Sequence, residues 1–157
     1  MKSNSKPAKS TAAPSKTTKV FSDIELDAMR DKVAEEKAAR KGKNSRELGE
    51  KELLAKVAEM KEPDRTLATR IHALVTAAAP ELAPKTWYGM PAYAKNDKVV
   101  CFFQSGQKFK TRYATFGFQD PAQLDDGNVW PTTYAITKLT AQDEARITAL
   151  VKQAVGR

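Results

Sequence analysis

The sequence predicts an α+β fold: a twisted antiparallel β-sheet with helices packed on one face, preceded by a helical hairpin and a disordered tail. Three observations support this class. The first 20 residues are mostly Lys, Ser, Thr, Ala and Pro, and they offer little to bury. Capped segments with apolar residues at helical spacing lie on both sides of the chain's middle part. That middle part, residues 85–118, is rich in aromatic and β-branched residues between turn formers, which indicates strands.

The N-terminal tail holds most of the basic excess of the chain. Residues 1–20 contain five lysines and no acidic residue, which gives +5 of the formal net charge of +8. Residues 21–61 are balanced, with ten bases and ten acids, and residues 62–157 carry the remaining +3. A tail of this composition is expected to be disordered, and its lysines suit contacts with phosphate groups that do not read bases. The alternative is a tail that only raises solubility.

Two helices are predicted between the tail and the main domain. Ser22 and Glu25 have the spacing of a capping box, so a first helix is expected from Asp23 to Arg40, with few large apolar residues. Gly42–Ser45 breaks the pattern, and a second helix follows from Glu47 to Met60. The pair is predicted as a two-helix extension, residues 21–61, with solvated charged faces or, as the alternative, a partner-binding arm. Whether these helices dock on the domain stays open.

The predicted domain, residues 62–157, begins and ends with a helix. Pro63 opens a helix that runs to about Ala79, and Thr140 with Asp143 caps a last helix, from Ala141 to Val155. Both helices have one apolar stripe for burial. The stripe residues are Leu67, Ile71, Leu74, Val75 and Ala78 in the former, and Ile147, Leu150, Val151 and Val155 in the latter.

The strands of this domain are expected between the two helices, with a bend at Gly89–Pro91. Asn96-Asp97 is a plausible tight turn because both residue types tolerate positive φ. The run Val99–Phe103 is apolar at odd and even positions, which indicates a central strand covered on both faces. Pro131 places the last strand at an edge. The predicted strands are Thr86–Tyr88, Ala92–Lys95, Lys98–Gln104, Thr111–Phe118 and Trp130–Thr137.

Composition argues against several classes of function. Cys101 is the single cysteine and His72 the single histidine, so neither a disulfide nor a His/Cys zinc cluster can form within one chain. No Ser/His/Asp or Cys/His pairing is apparent, and Cys101 and His72 are expected to be a buried thiol and an edge-of-core side chain.

Asp125–Asn128 is interpreted as a turn, with a weak Ca²⁺ or Mg²⁺ contact as the alternative. No apolar run reaches the roughly 18 residues of a membrane span, so we expect a cytoplasmic protein that is not membrane-bound.

A family resemblance enters at residues 86–93, Thr-Trp-Tyr-Gly-Met-Pro-Ala-Tyr, together with Ala79–Glu81 and Lys98–Phe103. These segments resemble the YdhG-type family of the frataxin-like YjbR/CyaY superfamily, whose members are often labelled domains of unknown function or iron chaperones. The resemblance covers about residues 62–155 and implies a frataxin-like sheet and iron handling, with no catalytic motif. Frataxin-like iron handling uses a ridge of Asp and Glu; the corresponding helix here offers Glu62 and Asp64.

Aromatic and basic residues form the most informative cluster of candidate site residues. If helices cover one face of the sheet, the other face could present rings and cations that stack on a base or hold an anionic ligand. The alternative is that the rings make core. The candidates are Trp87, Tyr88, Met90, Tyr93, Lys108, Lys110, Arg112, Tyr113 and Trp130.

Two functional hypotheses follow. The first is a non-enzymatic ligand-binding domain of the frataxin-like superfamily, whose ligand contacts the Trp87–Tyr93 bend and a strand at Lys108–Tyr113. Iron is the cofactor or cargo that the resemblance implies. The alternative is a nucleic-acid-associated protein that uses the lysine-rich residues 1–20 for phosphates and the aromatic face for stacking. An enzyme has the least support because nothing supplies a paired acid and base.

Overall fold

A computed structural model describes residues 21–40 and 46–157 of this chain, and the predicted α+β class is confirmed. The tail at residues 1–20 and the break predicted at Gly42–Ser45 lie outside the described residues. In the described ranges, no helix combines the length and the apolar character needed to cross a membrane. The elements are α1 (Asp23–Arg40), α2 (Arg46–Glu59), α3 (Asp64–Ala78), β1 (Ala83–Trp87), β2 (Met90–Lys95), β3 (Lys98–Gln104), β4 (Ala114–Phe118), β5 (Thr133–Ile136) and α4 (Ala141–Ala154).

The helix starts follow the capping signals of the sequence. The Glu25 amide donates to the Ser22 hydroxyl, and the Ser22 amide donates to the Glu25 carboxylate at 2.8 Å. The same reciprocal bonds join Thr140 and Asp143 at the start of α4. Each cap satisfies amides that the first helical turn leaves without partners. Both predicted capping boxes are therefore confirmed.

The five strands form one open antiparallel sheet in the order β1-β2-β3-β4-β5. The central position of β3 and the edge position of β5 are confirmed. Asn96 and Asp97 have φ values of 51° and 63°, so the tight turn predicted there is also confirmed. A second two-residue turn joins β1 to β2.

Several strand boundaries were predicted wrongly. β1 runs from Ala83 to Trp87 and not from Thr86 to Tyr88, β2 begins at Met90 and not at Ala92, and β5 runs from Thr133 to Ile136 and not from Trp130 to Thr137. Tyr88 and Gly89 form the β1–β2 turn, whereas Pro91 lies inside β2, paired with Thr86, and not in a bend. β4 begins at Ala114 rather than Thr111, because the chain from 105 to 113 closes into a loop through the Thr111 amide and the Gly106 carbonyl at 2.8 Å.

The main core lies between one face of the sheet and three helices. α3 contributes most of its predicted stripe, α4 contributes Ile147 and Val151, and α2 contributes Leu53 and Val57. Burial of each such aliphatic side chain stabilises the fold by about 1.5–3 kcal/mol. α2 therefore docks on the sheet. α1 lies against β1, and the Asp31 carboxylate meets the Lys56 ammonium of α2 at 3.4 Å.

The opposite face of the sheet has a smaller apolar cluster that includes no helix residue. Met90, Ala92 and Phe102 are buried in it, and Gly117 leaves the space that the Phe102 ring fills. A register shift between β2 and β3 beside Tyr93 and Ala94 changes the alternation of side chains there. The partly buried members of this cluster are Trp87, Tyr88, Val99 and Phe109.

Candidate functional site

The turn between β1 and β2 presents two adjacent backbone amides to an acidic side chain of α1. Tyr88 has φ 52° and Gly89 has φ 73°, so both residues are in the left-handed region. The Tyr88 amide donates to Glu35 Oε2 at 3.1 Å, and the Gly89 amide donates to Glu35 Oε1 at 3.0 Å. Successive amides that converge in this way form an anion-binding concavity. Here the anion is a carboxylate of the same chain.

Two lysines extend this concavity and hold a second carboxylate. Lys108 Nζ lies 3.2 Å from Asp31 Oδ2, and Lys56 Nζ lies 3.4 Å from Asp31 Oδ1. The three side chains are only 26–34% exposed, so their interactions are less screened than those of a fully exposed pair. Two amides and two ammonium groups thus meet two carboxylates, all of them at the β1–β2 end of the sheet.

The β3–β4 loop that carries Lys108 is held in place by a buried carboxylate at the start of α3. Asp64 accepts hydrogen bonds from the Ser105 hydroxyl at 2.6 Å and from the Gln107 amide at 2.9 Å. The Ser105 hydroxyl in turn accepts from the Lys108 amide at 3.1 Å. Asp64 is 3% exposed, so these bonds offset the cost of its burial. Its carboxylate therefore has a structural role in positioning Lys108.

Glu62, the other acidic residue at this end of α3, is engaged locally. The Thr66 hydroxyl donates to its carboxylate at 2.6 Å, and Arg65 Nε donates at 3.0 Å. The hydrogen bond from Thr66 is the largest cause of a lowered pKa for the Glu62 carboxyl.

A cleft of about 270 Å³ adjoins the two lysines and Gly89. Gly89 borders it closely, because a Cβ built there would collide with the Asp31 carboxylate and lie 2.6 Å from Lys108 Nζ. The site thus needs glycine both for its backbone conformation and for its space. The lining residues are Lys56, Glu59, Met60, Lys61, Gly89, Ser105, Gln107 and Lys108.

Aromatic rings stand next to these donors. The Trp87 ring packs edge-on against Tyr88 with centroids 5.2 Å apart, and it lies 5.3 Å from the Phe102 ring. Lys32 of α1 places its ammonium 5.2 Å from the centre of the Tyr88 ring, a cation–π geometry. α1 therefore covers the turn with one cation and two carboxylates.

The structure brings together four of the nine candidate site residues: Trp87, Tyr88, Met90 and Lys108. Tyr93 belongs elsewhere, which corrects the predicted aromatic face. It is fully buried in the main core, where its hydroxyl lies 3.0 Å from His72 Nδ1, and burial raises its pKa well above the ordinary value. Alternation along β2 sends Tyr93 to the face opposite Met90. Trp130 also packs against the main core.

The remaining three candidates lie in the loop at 105–113 and not on a strand, which corrects the predicted strand at Lys108–Tyr113. Lys110, Arg112 and Tyr113 are exposed there. The Arg112 guanidinium carbon lies 5.3 Å from the centre of the Tyr113 ring. Lys110 and Arg112 add positive charge to the loop that carries Lys108, but the hydrogen bonds and ion pairs of the α1 carboxylates involve none of the three residues.

Five components of the site were missed at the sequence level. Lys56, Asp31 and Glu35 lie on helices interpreted as an extension, and no local pattern links them to the sheet. The two amides had a usable signal, since Tyr-Gly between strand-like residues is compatible with a left-handed two-residue turn. The predicted bend at Gly89–Pro91 obscured that signal.

The other residues considered in the sequence fall outside this site. Cys101 is buried as predicted, and burial raises the pKa of its thiol far above the ordinary range. His72 lies at the edge of the core as predicted, with Nε2 2.9 Å from Glu50 Oε1. Asp125–Asn128 is an exposed loop. Across residues 21–40 and 46–157, no group of three or more His, Cys, Asp or Glu side chains is arranged to hold a metal ion.

No protein-family model matches this chain, and no curated protein or solved structure matches it either. The YdhG-type resemblance therefore stays a prediction, and the functional argument rests on the geometry of the chain itself.

Proposed function

We propose that this protein is a non-enzymatic ligand-binding domain whose site takes an anionic group between the β1–β2 turn and two lysines. The observation that carries the proposal is the convergence of the Tyr88 and Gly89 amides with Lys56 and Lys108 on carboxylates. We name this set of four donors the anion site. The proposal retains the binding class expected from sequence and assigns it a different centre.

The chemistry of the anion site favours a phosphate or carboxylate ligand. Its four donors carry N–H groups and no acceptor, so they complement oxygen atoms with negative charge. Hydrogen bonds of this kind are roughly twice as strong as those between neutral groups. The adjoining cleft of about 270 Å³ gives room for the rest of a small ligand.

Iron handling, which the frataxin-like resemblance implies, draws less support from the described residues. Hard cations prefer carboxylate and carbonyl oxygens. Asp64 and Glu62 already accept hydrogen bonds from Ser105 and from Thr66.

Nucleic acid is the second source of a phosphate that the anion site could hold. The loop at 105–113 carries Lys108, Lys110 and Arg112, and a row of cations suits a phosphate backbone. The lysines of residues 1–20 would strengthen such binding by charge alone. A small anion and an oligonucleotide are therefore compared in the same experiment.

Calorimetric titration of the full chain tests the proposal. The titrants are inorganic phosphate, a single-stranded oligonucleotide and Fe²⁺. They are added to the wild type and to a variant with Asp31→Asn and Glu35→Gln, in which the native carboxylates no longer carry charge. We expect saturable phosphate binding, and we expect it to be lost in a further variant that carries Lys56→Gln with Lys108→Gln.

The matched control is Lys51→Gln with Lys152→Gln, which removes two exposed lysines outside the anion site and should leave phosphate binding unchanged. Absence of saturable phosphate heat in both the wild type and the Asp31→Asn with Glu35→Gln variant would contradict the proposal. Tighter binding of the oligonucleotide with a steep salt dependence would assign the phosphate to nucleic acid. Saturable heat with Fe²⁺ alone would favour iron handling.

A further inference from the structure

We infer that α1 is an intramolecular pseudo-ligand of the anion site, so that an external anion binds only when it displaces Asp31 and Glu35. This inference rests on the proposed function and adds its regulation. In the closed state seen here, the two carboxylates occupy all four donors of the anion site. The site is formed but already filled.

The spacing of the two acidic residues suits this role. Asp31 and Glu35 are four positions apart on one helix, so their side chains lie on the same helical face. Lys32, one position after Asp31, adds the contact with the Tyr88 ring. The contacts of α1 with the site thus come from residues 31–35, little more than one helical turn.

Polar contacts, rather than apolar burial, hold α1 in place. Among its side chains from 23 to 38, Ala28 is the single buried one, whereas Leu26, Met29 and Val33 are exposed. Loss of the α1 contacts therefore uncovers little apolar surface, and the main cost is that of separating charges. These ion pairs are partly open to solvent, so a competing anion that offers the lysines the same charge can replace the carboxylates.

The linkage between the closed state and the ligand sets the expected magnitude. The apparent affinity for an external anion is reduced by the fraction of molecules in which the anion site is open. α1 is joined to α2 by a short connection, so its carboxylates have a high effective concentration at the site. Removal of their charge should raise the open fraction and tighten phosphate binding by about tenfold.

The test compares phosphate affinity in three full-length proteins by calorimetry. The wild type is set against Asp31→Asn with Glu35→Gln, and the control is Asp27→Asn with Glu36→Gln. The control removes the same charge from the same helix at exposed positions that do not touch the anion site. We expect about tenfold tighter binding in the first variant and less than about twofold change in the control. Glu35→Gln alone should give an intermediate value.

Hydrogen exchange gives a second and independent readout in the wild type. Most of the stability of a helix in a protein comes from its tertiary contacts, so α1 amides should lose protection when phosphate displaces the helix. The α3 amides serve as the internal control and should stay protected.

The two proposals fail in different ways. Equal phosphate affinity in the wild type and in the Asp31→Asn with Glu35→Gln variant, or unchanged α1 protection at saturating phosphate, overturns the pseudo-ligand inference and leaves the anion site intact. Absence of phosphate binding in both proteins overturns the proposed function, and the inference falls with it.

Discussion

Gly89 connects backbone geometry, space and binding at the scale of a single residue. Its φ of 73° lies in the left-handed region, and its missing side chain lets Asp31 and Lys108 approach the turn. Gly127 has a similar φ of 66° but stands in open space. A comparison of Gly89 with Gly127 therefore distinguishes the effect of a left-handed backbone from the effect of a side chain in the anion site.

We predict that Gly89→Ala and Gly127→Ala each destabilise the fold by about 1–2 kcal/mol, the cost of a left-handed backbone for a residue with a Cβ. Urea unfolding measures this loss. Only Gly89→Ala should also alter phosphate affinity and the exchange of α1 amides, because its Cβ enters the space of Asp31 and Lys108. Equal phosphate affinity in the two variants would show that the turn does not contribute to the site.

Cys101 should be inert in the native protein. Burial raises the pKa of its thiol, and the thiolate is the reactive form. We expect negligible reaction with Ellman's reagent under native conditions at pH 8 and full reaction of one thiol per chain in denaturant. Rapid reaction without denaturant would mean that β3 opens readily, which contradicts the central position of that strand.

At the scale of elements, α2 shows where sequence patterns reach their limit. Its apolar residues Leu53, Leu54, Val57 and Met60 predict a helix with one apolar side; the structure buries Leu53 and Val57 but leaves Leu54 exposed. The pattern does not reveal what the helix covers, because Leu53 and Val57 meet strands that come more than 25 residues later. The same limit applies to Tyr93, whose side was decided by strand alternation and by the helices packed on that face.

We predict that Leu53→Ala destabilises the protein by about 2–5 kcal/mol, because it leaves a cavity in the main core. Leu54→Ala, at the neighbouring exposed position, should change the free energy of unfolding by less than about 0.5 kcal/mol. Both variants are compared by urea denaturation of the full chain. A small effect of Leu53→Ala would mean that α2 is an appendage after all.

The contact between α3 and α4 gives a pH-dependent prediction. Arg70 donates to the Glu144 carboxylate and holds its pKa below the ordinary value of 4.5. The depressed pKa means that the ion pair stabilises the fold above about pH 4.5 and that this contribution is lost as the pH falls through the folded pKa.

Glu144→Gln should therefore be less stable than the wild type at pH 7, and the difference should shrink towards zero in acid. Urea unfolding over a pH series measures it. Glu52→Gln, which removes an exposed carboxyl away from α3 and α4, is the control and should show no such trend. A difference for Glu144→Gln that stays constant with pH would argue against the ion pair as its cause.

At the scale of the whole molecule, the anion site is assembled from three separate segments, α2, the β1–β2 turn and the β3–β4 loop, and a fourth segment, α1, fills it. Element types and most boundaries could be predicted, because periodicity and capping are local signals. The site could be predicted only in part, since Trp87, Tyr88 and Lys108 carry visible chemistry, whereas the backbone amides and the filling carboxylates depend on tertiary packing. Net charge along the chain gave no indication of it.

The central claim is that the Tyr88 and Gly89 amides with Lys56 and Lys108 bind an anion in the place of α1. Its most direct test is a phosphate titration of the Asp31→Asn with Glu35→Gln variant followed by ¹H–¹⁵N NMR. The account predicts saturable shifts that are largest for the Tyr88 and Gly89 amides and that vanish when Lys56→Gln and Lys108→Gln are added. Saturable shifts centred elsewhere, or none at these two amides, would contradict it.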